Sequence, residues 1–171
     1  MTGTITPQYT RVEYVRTFFV RTPIRLEAAN AAIIDDRHLT GTRARLRKLT
    51  RSVGDAECTL CREQDGARFT SVAVAPLSAI DYAAFAHFEA NIIRKRRHTV
   101  TPAERPVFVD VFEGALTGLV LCEVTAATEA EVEAVVPPPW ASEEVTGDPF
   151  FDGARLAFTT PEQLRVRLAH S

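Results

Sequence analysis

Eight short segments of strand-like composition follow one another along this chain, each bounded by a turn signal. β-branched and aromatic residues dominate them. The pattern predicts strands at 10–20, 33–39, 42–49, 56–63, 69–77, 91–100, 107–113 and 119–124. Helical signals are few, and no repeat or linker divides the chain. We therefore predict an α+β fold in which eight antiparallel strands close into a barrel with helices packed outside, because closure leaves no unpaired edge strand.

Helix-start signals occur at four places in the sequence. Thr22-Pro23 and Thr160-Pro161 each combine a capping residue with a proline at the first helical position, and Ser78 and Thr128 are further N-cap candidates. The predicted helices cover 22–29, 78–88, 129–136 and 160–169. We expect one domain over 1–171, with a core at about 10–158 and a C-terminal helix at about 160–169.

Composition excludes several classes of protein. The 171 residues carry a net charge of -2, so bulk nucleic-acid binding is not expected. No run of about 20 apolar residues could span a bilayer, and the N-terminus does not have the pattern of a signal peptide. Three cysteines do not make a disulfide framework. The sequence predicts a cytoplasmic protein without nucleic-acid or membrane partners, and it leaves a homodimer open.

Basic residues recur with a period of two on two of the predicted strands. Arg43, Arg45 and Arg47 share one face, and so do Lys95 and Arg97. In one interpretation these faces lie in water. In the other the barrel is polar inside, which would require an anionic ligand and, where acids stand among the bases, a bridging divalent metal. Alternation alone leaves both interpretations open.

Four segments in this order resemble one known family. They are DRHLTGTRARLRKL (36–49), IIRKRRHTV (92–100), VDVFEGALTGLVLCEV (109–124) and EVTGDPFFDGARLA (144–157). Together they are similar to the CYTH superfamily, also called triphosphate tunnel metalloenzymes. The resemblance covers roughly residues 10–158 and favours the interpretation with the charges inside.

The resemblance implies a tunnel of eight antiparallel strands that grips a triphosphate with bases and holds one or two Mg²⁺ or Mn²⁺ ions with acids. The implied activity is divalent-metal-dependent hydrolysis of tripolyphosphate or an organic triphosphate. The partner would be a small anionic substrate. Carried over residue by residue, the family pattern gives substrate-binding Arg43, Arg45, Arg47, Lys95 and Arg97, catalytic Asp110 and Glu13, and metal-binding Glu13, Glu123 and Glu144.

Several signature positions depart from the family pattern. Val15 and Thr17 stand where a second Glu and a Lys are expected, and Thr125 replaces the second Glu of a later pair. A strand-four Lys is either replaced by Glu63 or shifted to Arg62, and His38 takes the place of a usual Tyr. These departures keep two alternatives open. One is a non-catalytic or repurposed tunnel that binds an anionic small molecule, and the other is a class IV-type nucleotidyl cyclase.

Overall fold

The computed structural model describes residues 11–21, 24–27, 31–65, 69–100 and 106–170. Nine strands make up one sheet. They are β1 Arg11–Val20, β2 Ala31–Leu39, β3 Ala44–Thr50, β4 Glu57–Asp65, β5 Thr70–Leu77, β6 Ala90–Val100, β7 Val107–Phe112, β8 Val120–Ala126 and β9 Ala141–Glu144.

The sheet closes on itself, as the sequence predicts. Its strand order is β5-β4-β3-β2-β6-β7-β8-β1-β9, and a further antiparallel pairing joins β1 to β5. Strands β1 to β8 therefore form a closed antiparallel barrel. The short strand β9 was not predicted; it pairs with the last residues of β1, around Phe18 and Val20.

Four short α-helices lie along the connections: α1 Ala79–Phe85, α2 Glu129–Glu133, α3 Gly153–Leu156 and α4 Pro161–Ala169. The predicted caps Ser78, Thr128 and Thr160 each form a capping box. No helix among the described residues is long and apolar enough to cross a membrane.

The predicted helix over 22–29 is wrong where the structure describes it. Residues 24–27 have no regular secondary structure, while 22–23 and 28–30 lie outside the described residues. Residue Glu27 presents its carbonyl oxygen 3.2 Å from Nδ1 of His98, on the outer side of β6. That contact with a side chain of the sheet replaces the helical hydrogen bond that the proline signal suggested.

Apolar side chains gather at one end of the barrel. Inward-facing Phe19, Ile93, Phe112 and Leu121 pack with Leu116, Leu119, Val145, Leu156 and Leu164 into one buried cluster. Residues 145–156, which contain α3, supply two members of this cluster, and we call them the covering segment. A second cluster, with Phe18, Cys122 and Val124, is built on the outer face of β1 and β8. The barrel wall thus has an apolar exterior beside β1 and β8, while its interior carries apolar side chains at one end.

Candidate functional site

Basic side chains of β3 and β6 point into the barrel. Arg45 and Arg47 line the interior on β3, and Lys95 and Arg97 do so on β6. Their neighbours Lys48, Arg94 and Arg96 lie on the opposite face and are exposed. The two-residue alternation therefore predicted the right set, and the structure supports the interpretation in which the charges are inside.

Two cavities divide the interior between them. The larger, of about 610 Å³, opens beside the covering segment, and the smaller, of about 240 Å³, lies toward the other end. Both are lined by Val15, Arg45, Arg47, Val72 and Glu123. The cavities therefore meet at the level of the basic residues, and we refer to the combined space as the tunnel.

One acidic residue anchors the bases of β3. Asp36, on the inward face of β2, accepts two hydrogen bonds of 2.7 Å from Nε and Nη2 of Arg47. Its Oδ1 also lies 3.7 Å from Nε of Arg45. The Nη1 of Arg45 is ion-paired with Glu63 of β4. A fork-to-fork pair such as Arg47–Asp36 fixes both side chains in orientation as well as in charge.

A second network holds the bases of β6. Asp110 of β7 is fully buried and accepts two 2.7 Å hydrogen bonds from Arg97, with Nζ of Lys95 at 2.5 Å. Glu123 of β8 is ion-paired with Arg97, and its Oε1 lies 3.6 Å from Lys95. The aromatic rings of Phe108 and Phe112 flank the two cations.

Four members of the networks, Asp36, Glu123, Arg47 and Arg97, have pKa values that keep them charged despite burial. Burial alone would raise the pKa of Asp36 and Glu123, but the facing Arg and Lys side chains outweigh it and hold both pKa values well below the usual range. Burial likewise opposes the charge of Arg47 and Arg97, yet Asp36 and Asp110 raise the pKa of each guanidinium. The tunnel therefore presents fixed charges of both signs at neutral pH.

One donor of Arg45, Nε, makes no hydrogen bond within the described part of the chain, although Oδ1 of Asp36 lies 3.7 Å away. This atom is buried, and Nη1 of the same side chain contacts Glu63. A buried donor left unsatisfied costs about 1–3 kcal/mol. Because this atom is shielded from solvent, an anionic oxygen in the tunnel would reach it only after a shift of the Arg45 side chain.

The three predicted metal ligands do not come together. Glu123 lies at the junction of the two cavities. Glu13 lines only the smaller cavity, where it accepts a 2.6 Å hydrogen bond from Arg11. Glu144 lies outside the tunnel on β9, where Nε and Nη2 of Arg16 donate to its two oxygens at 3.0 and 2.8 Å. The four-residue strand β9, absent from the sequence prediction, carries Glu144 to the outer face of β1.

The remaining acids do not fit a metal centre made of three protein carboxylates. Val15 and Thr125 face each other in the β1–β8 register, and Thr17 pairs with Glu123. On β1 and β8, the positions next to Glu123 therefore carry no further acid, while Asp110 of β7 contacts the same Nη2 of Arg97 as Glu123 does. Among the described residues, no group of three His, Cys, Asp or Glu side chains converges on a common point. A divalent ion would have to bring most of its oxygen ligands with it.

The other two predicted site residues, Arg43 and Asp110, take different positions. Arg43 lines the larger cavity near its mouth, where its Nε donates to the Glu63 carbonyl at 3.2 Å. Asp110 lines neither cavity, so its place in the fold is to hold Lys95 and Arg97 rather than to touch a substrate.

Two features of the tunnel were missed from the sequence. Asp36 was not proposed as a site residue, although Ile34, Asp36 and His38 alternate on one face of β2, which was a usable signal. The covering segment also lines the larger cavity, from Val145 to Leu156. No local pattern could show that it packs against the barrel interior, because that depends on tertiary contacts.

Comparisons with known proteins agree with this architecture. No family model matches the chain. Over 74 residues it is 36% identical to the inorganic triphosphatase of Nitrosomonas europaea, a match that spans 43% of this chain and 49% of that protein. The chain thus matches about half the length of this curated relative.

Two solved structures share the fold over most of the chain. The crystal structure of the inorganic triphosphatase NE1496 aligns with a TM-score of 0.54 and 27% identity, over 87% of this chain and 96% of that one. The crystal structure of the hypothetical protein NE1496 aligns with a TM-score of 0.54 and 26% identity, over 87% and 99%. Together with the closed eight-stranded tunnel and its inward bases, these similarities support the resemblance of the chain to the CYTH superfamily.

Proposed function

We propose that this protein hydrolyses a triphosphate, either inorganic tripolyphosphate or an organic triphosphate, inside the tunnel. The observation that carries the proposal is the set of four inward bases: Arg45 and Arg47 line both cavities, Lys95 lines the larger one and Arg97 the smaller one. The similarity to an inorganic triphosphatase in sequence and in fold supports the same activity. A cytoplasmic location and a small-molecule partner belong to this proposal.

Shape and charge suit a short polyanion. A cavity of about 610 Å³ falls within the range of small-molecule sites. Guanidinium groups match phosphate oxygens with paired donors. We place the phosphates along Arg45, Arg47, Lys95 and Arg97, with Arg43 at the entrance.

The residues would act chiefly by positioning and charge neutralisation. Phosphoryl transfer spreads negative charge over the transferred group and the leaving oxygen, and fixed cations in a largely enclosed site stabilise that charge. Asp36 and Asp110 hold Arg47 and Arg97 by paired hydrogen bonds, so these cations need little reorganisation when substrate enters. Both carboxylates therefore have positioning roles in this proposal.

We propose that Mg²⁺ or Mn²⁺ enters as the metal–triphosphate complex, that is, as part of the substrate. Such a complex carries less negative charge than the free triphosphate, and phosphate oxygens supply most of the ligands that hard divalent ions prefer. Glu123, at the junction of the cavities, is the carboxylate best placed to approach it. Glu13, farther along the smaller cavity, is second.

A second candidate function is an anion-binding tunnel without turnover. The observation that favours it is the pairing of Asp36, Glu63, Asp110 and Glu123 with tunnel cations. The tunnel is nearly compensated in charge, and acids engaged in this way are poor metal ligands. Binding by the basic residues would survive even where hydrolysis has been lost.

Phosphate release from tripolyphosphate distinguishes the two functions. Purified protein would be assayed with Mg²⁺, with Mn²⁺ and with a chelator, beside the variants Arg45→Met and Lys48→Met. We expect metal-stimulated release that falls at least 10-fold in Arg45→Met and stays within 2-fold in Lys48→Met, because Lys48 lies on the outer face of the same strand. No release from folded protein that still binds tripolyphosphate would refute hydrolysis and leave the binding function.

A further inference from the structure

One titratable side chain of the larger cavity takes no part in the charge networks. His38 follows Asp36 on the inward face of β2 and is paired in register with Arg45. Only 7% of its surface is exposed, and it lines the cavity of about 610 Å³. Within the described residues its ring makes no hydrogen bond or ion pair, whereas the carboxylates beside it are engaged.

The imidazole is held in place by the covering segment. Gly153 begins α3, and an added Cβ at this position would lie 2.6 Å from Cε1 and 3.2 Å from Nε2 of His38. A side chain at 153 would therefore displace the ring, although the backbone of Gly153 is not in a conformation reserved for glycine. The glycine permits a close approach that fixes one edge of the imidazole at the cavity wall.

The charged groups around His38 come from every element that packs near it. They are Asp36 on β2, Arg43 and Arg45 on β3, Glu63 on β4, Lys95 on β6, and Asp148, Asp152 and Arg155 on the covering segment. Asp36 and Glu63 are bound to arginines. Asp152 caps α3 by accepting from the amides of Ala154 and Arg155, and Asp148 accepts from Arg167.

Burial, with Arg45 and Lys95 nearby, lowers the pKa of His38 to about 4 even though Asp36 and Asp152 oppose the shift. The ring is therefore neutral at pH 7 and able to take up a proton. A polyanion bound beside it would offset the two cations and raise the pKa toward neutrality. General-base catalysis is most efficient when the pKa of the base lies near the working pH.

We propose that His38 is a catalytic residue of the hydrolysis proposed above: a ring nitrogen accepts the proton of the attacking water. In this step the water oxygen forms a bond to the terminal phosphorus, and the bridging phosphorus–oxygen bond breaks. Its electron pair leaves with pyrophosphate, whose charge the tunnel cations neutralise. The water proton resides on the imidazole and is then released to solvent, so atoms and charge balance. The role rests on the proposed function.

The test is a double-mutant cycle between His38 and Gly153, assayed by phosphate release from tripolyphosphate. We expect His38→Asn and His38→Ala to lower kcat by at least about 100-fold, the lower end of what a general base contributes. KM should change less than 5-fold. Gly153→Ala should also lower kcat, because the new methyl group displaces the ring. In the His38→Ala background the same glycine substitution should cost less than 2-fold, because the alanine leaves room for the methyl group.

Two further readouts separate a proton acceptor from a structural residue. The acid limb of the wild-type kcat profile should disappear in His38→Asn, and added imidazole should restore part of the activity of His38→Ala. His87→Asn is the matched control, since His87 is exposed beyond α1. An active wild-type protein whose kcat and acid limb survive His38→Asn would overturn the role alone. A folded wild-type protein without activity would refute the proposed hydrolysis and the role with it.

Discussion

Asp110 offers the sharpest test of how the tunnel is held together. It is fully buried, and its two oxygens accept hydrogen bonds of 2.7 Å from Nε and Nη2 of Arg97. The Nζ atom of Lys95 lies 2.5 Å from its Oδ2. In Asp110→Asn, both cations stay buried while the charge that compensates them is lost. Removing one partner of a buried ion pair costs about 3–5 kcal/mol.

That loss is large against the ~5–15 kcal/mol stability of an ordinary domain. Glu123 remains beside both cations, so we expect the lower end, about 3 kcal/mol. With a urea dependence of about 2 kcal/mol/M, the unfolding midpoint should fall by about 1.5 M. The measurement is urea unfolding followed by circular dichroism at neutral pH.

Asp35→Asn is the matched control. Asp35 precedes Asp36 on β2 but faces outward, and its partner Arg94 is half-exposed at 3.3 Å. Exposed pairs contribute about 0–1 kcal/mol, so this midpoint should barely move. Tripolyphosphate should stabilise Asp110→Asn more than wild type, because it replaces the lost negative charge. Equal destabilisation by the two substitutions, or equal stabilisation by the anion, would refute the account of the tunnel as a compensated charge network.

Three other outcomes follow from the same structure. The double substitution Val15→Glu and Thr17→Lys should raise metal-stimulated phosphate release at least 10-fold, since both positions line the larger cavity. An unchanged rate would mean that the loss of these two family residues does not limit hydrolysis. Arg16→Met should lower the free energy of unfolding by about 1–3 kcal/mol, because Arg16 binds Glu144 and the carbonyl of Val135 from a largely buried position. Urea unfolding beside the exposed control Arg11→Met checks this, and equal losses would contradict it. Finally, His38 has a pKa of about 4 when folded and its ordinary 6.5 when unfolded, so its contribution to stability is complete above pH 6.5 and lost as pH falls toward 4. The free energy of unfolding should fall by about 3 kcal/mol more in wild type than in His38→Asn over this range, and parallel pH profiles would contradict the buried neutral imidazole.

The barrel could be predicted from the sequence because its information is local. Strand composition and period-two alternation are properties of consecutive residues, and they grouped Arg45 with Arg47 and Lys95 with Arg97. The resemblance to a known family was needed to place these two faces inside. Capping signals at Ser78, Thr128 and Thr160 worked for the same reason, since each acts within one helical turn.

The remaining features depend on contacts between distant parts of the chain. Glu144 stands in a segment that resembles the family. Strand β9, however, pairs with the end of β1, and there Glu144 accepts a hydrogen bond from Arg16, 128 residues away in sequence. Asp36 and Asp110 neutralise the tunnel bases because of how the strands pair. The register of β2 with β3 sets Asp36 opposite Arg47, and that of β6 with β7 sets Asp110 opposite Arg97. The covering segment reaches the tunnel through tertiary packing, for which no local signal exists.

Calorimetric titration of tripolyphosphate into the protein tests the central claim most directly, since it needs no turnover. The comparison uses adjacent residues of β6, with Lys95→Met on the inward face and Arg94→Met on the outer face, each confirmed as folded by circular dichroism. We predict one site per chain in wild type and in Arg94→Met, and at least 10-fold weaker binding in Lys95→Met. Equal binding by both variants, or a greater loss in Arg94→Met, would contradict an anion site inside the tunnel.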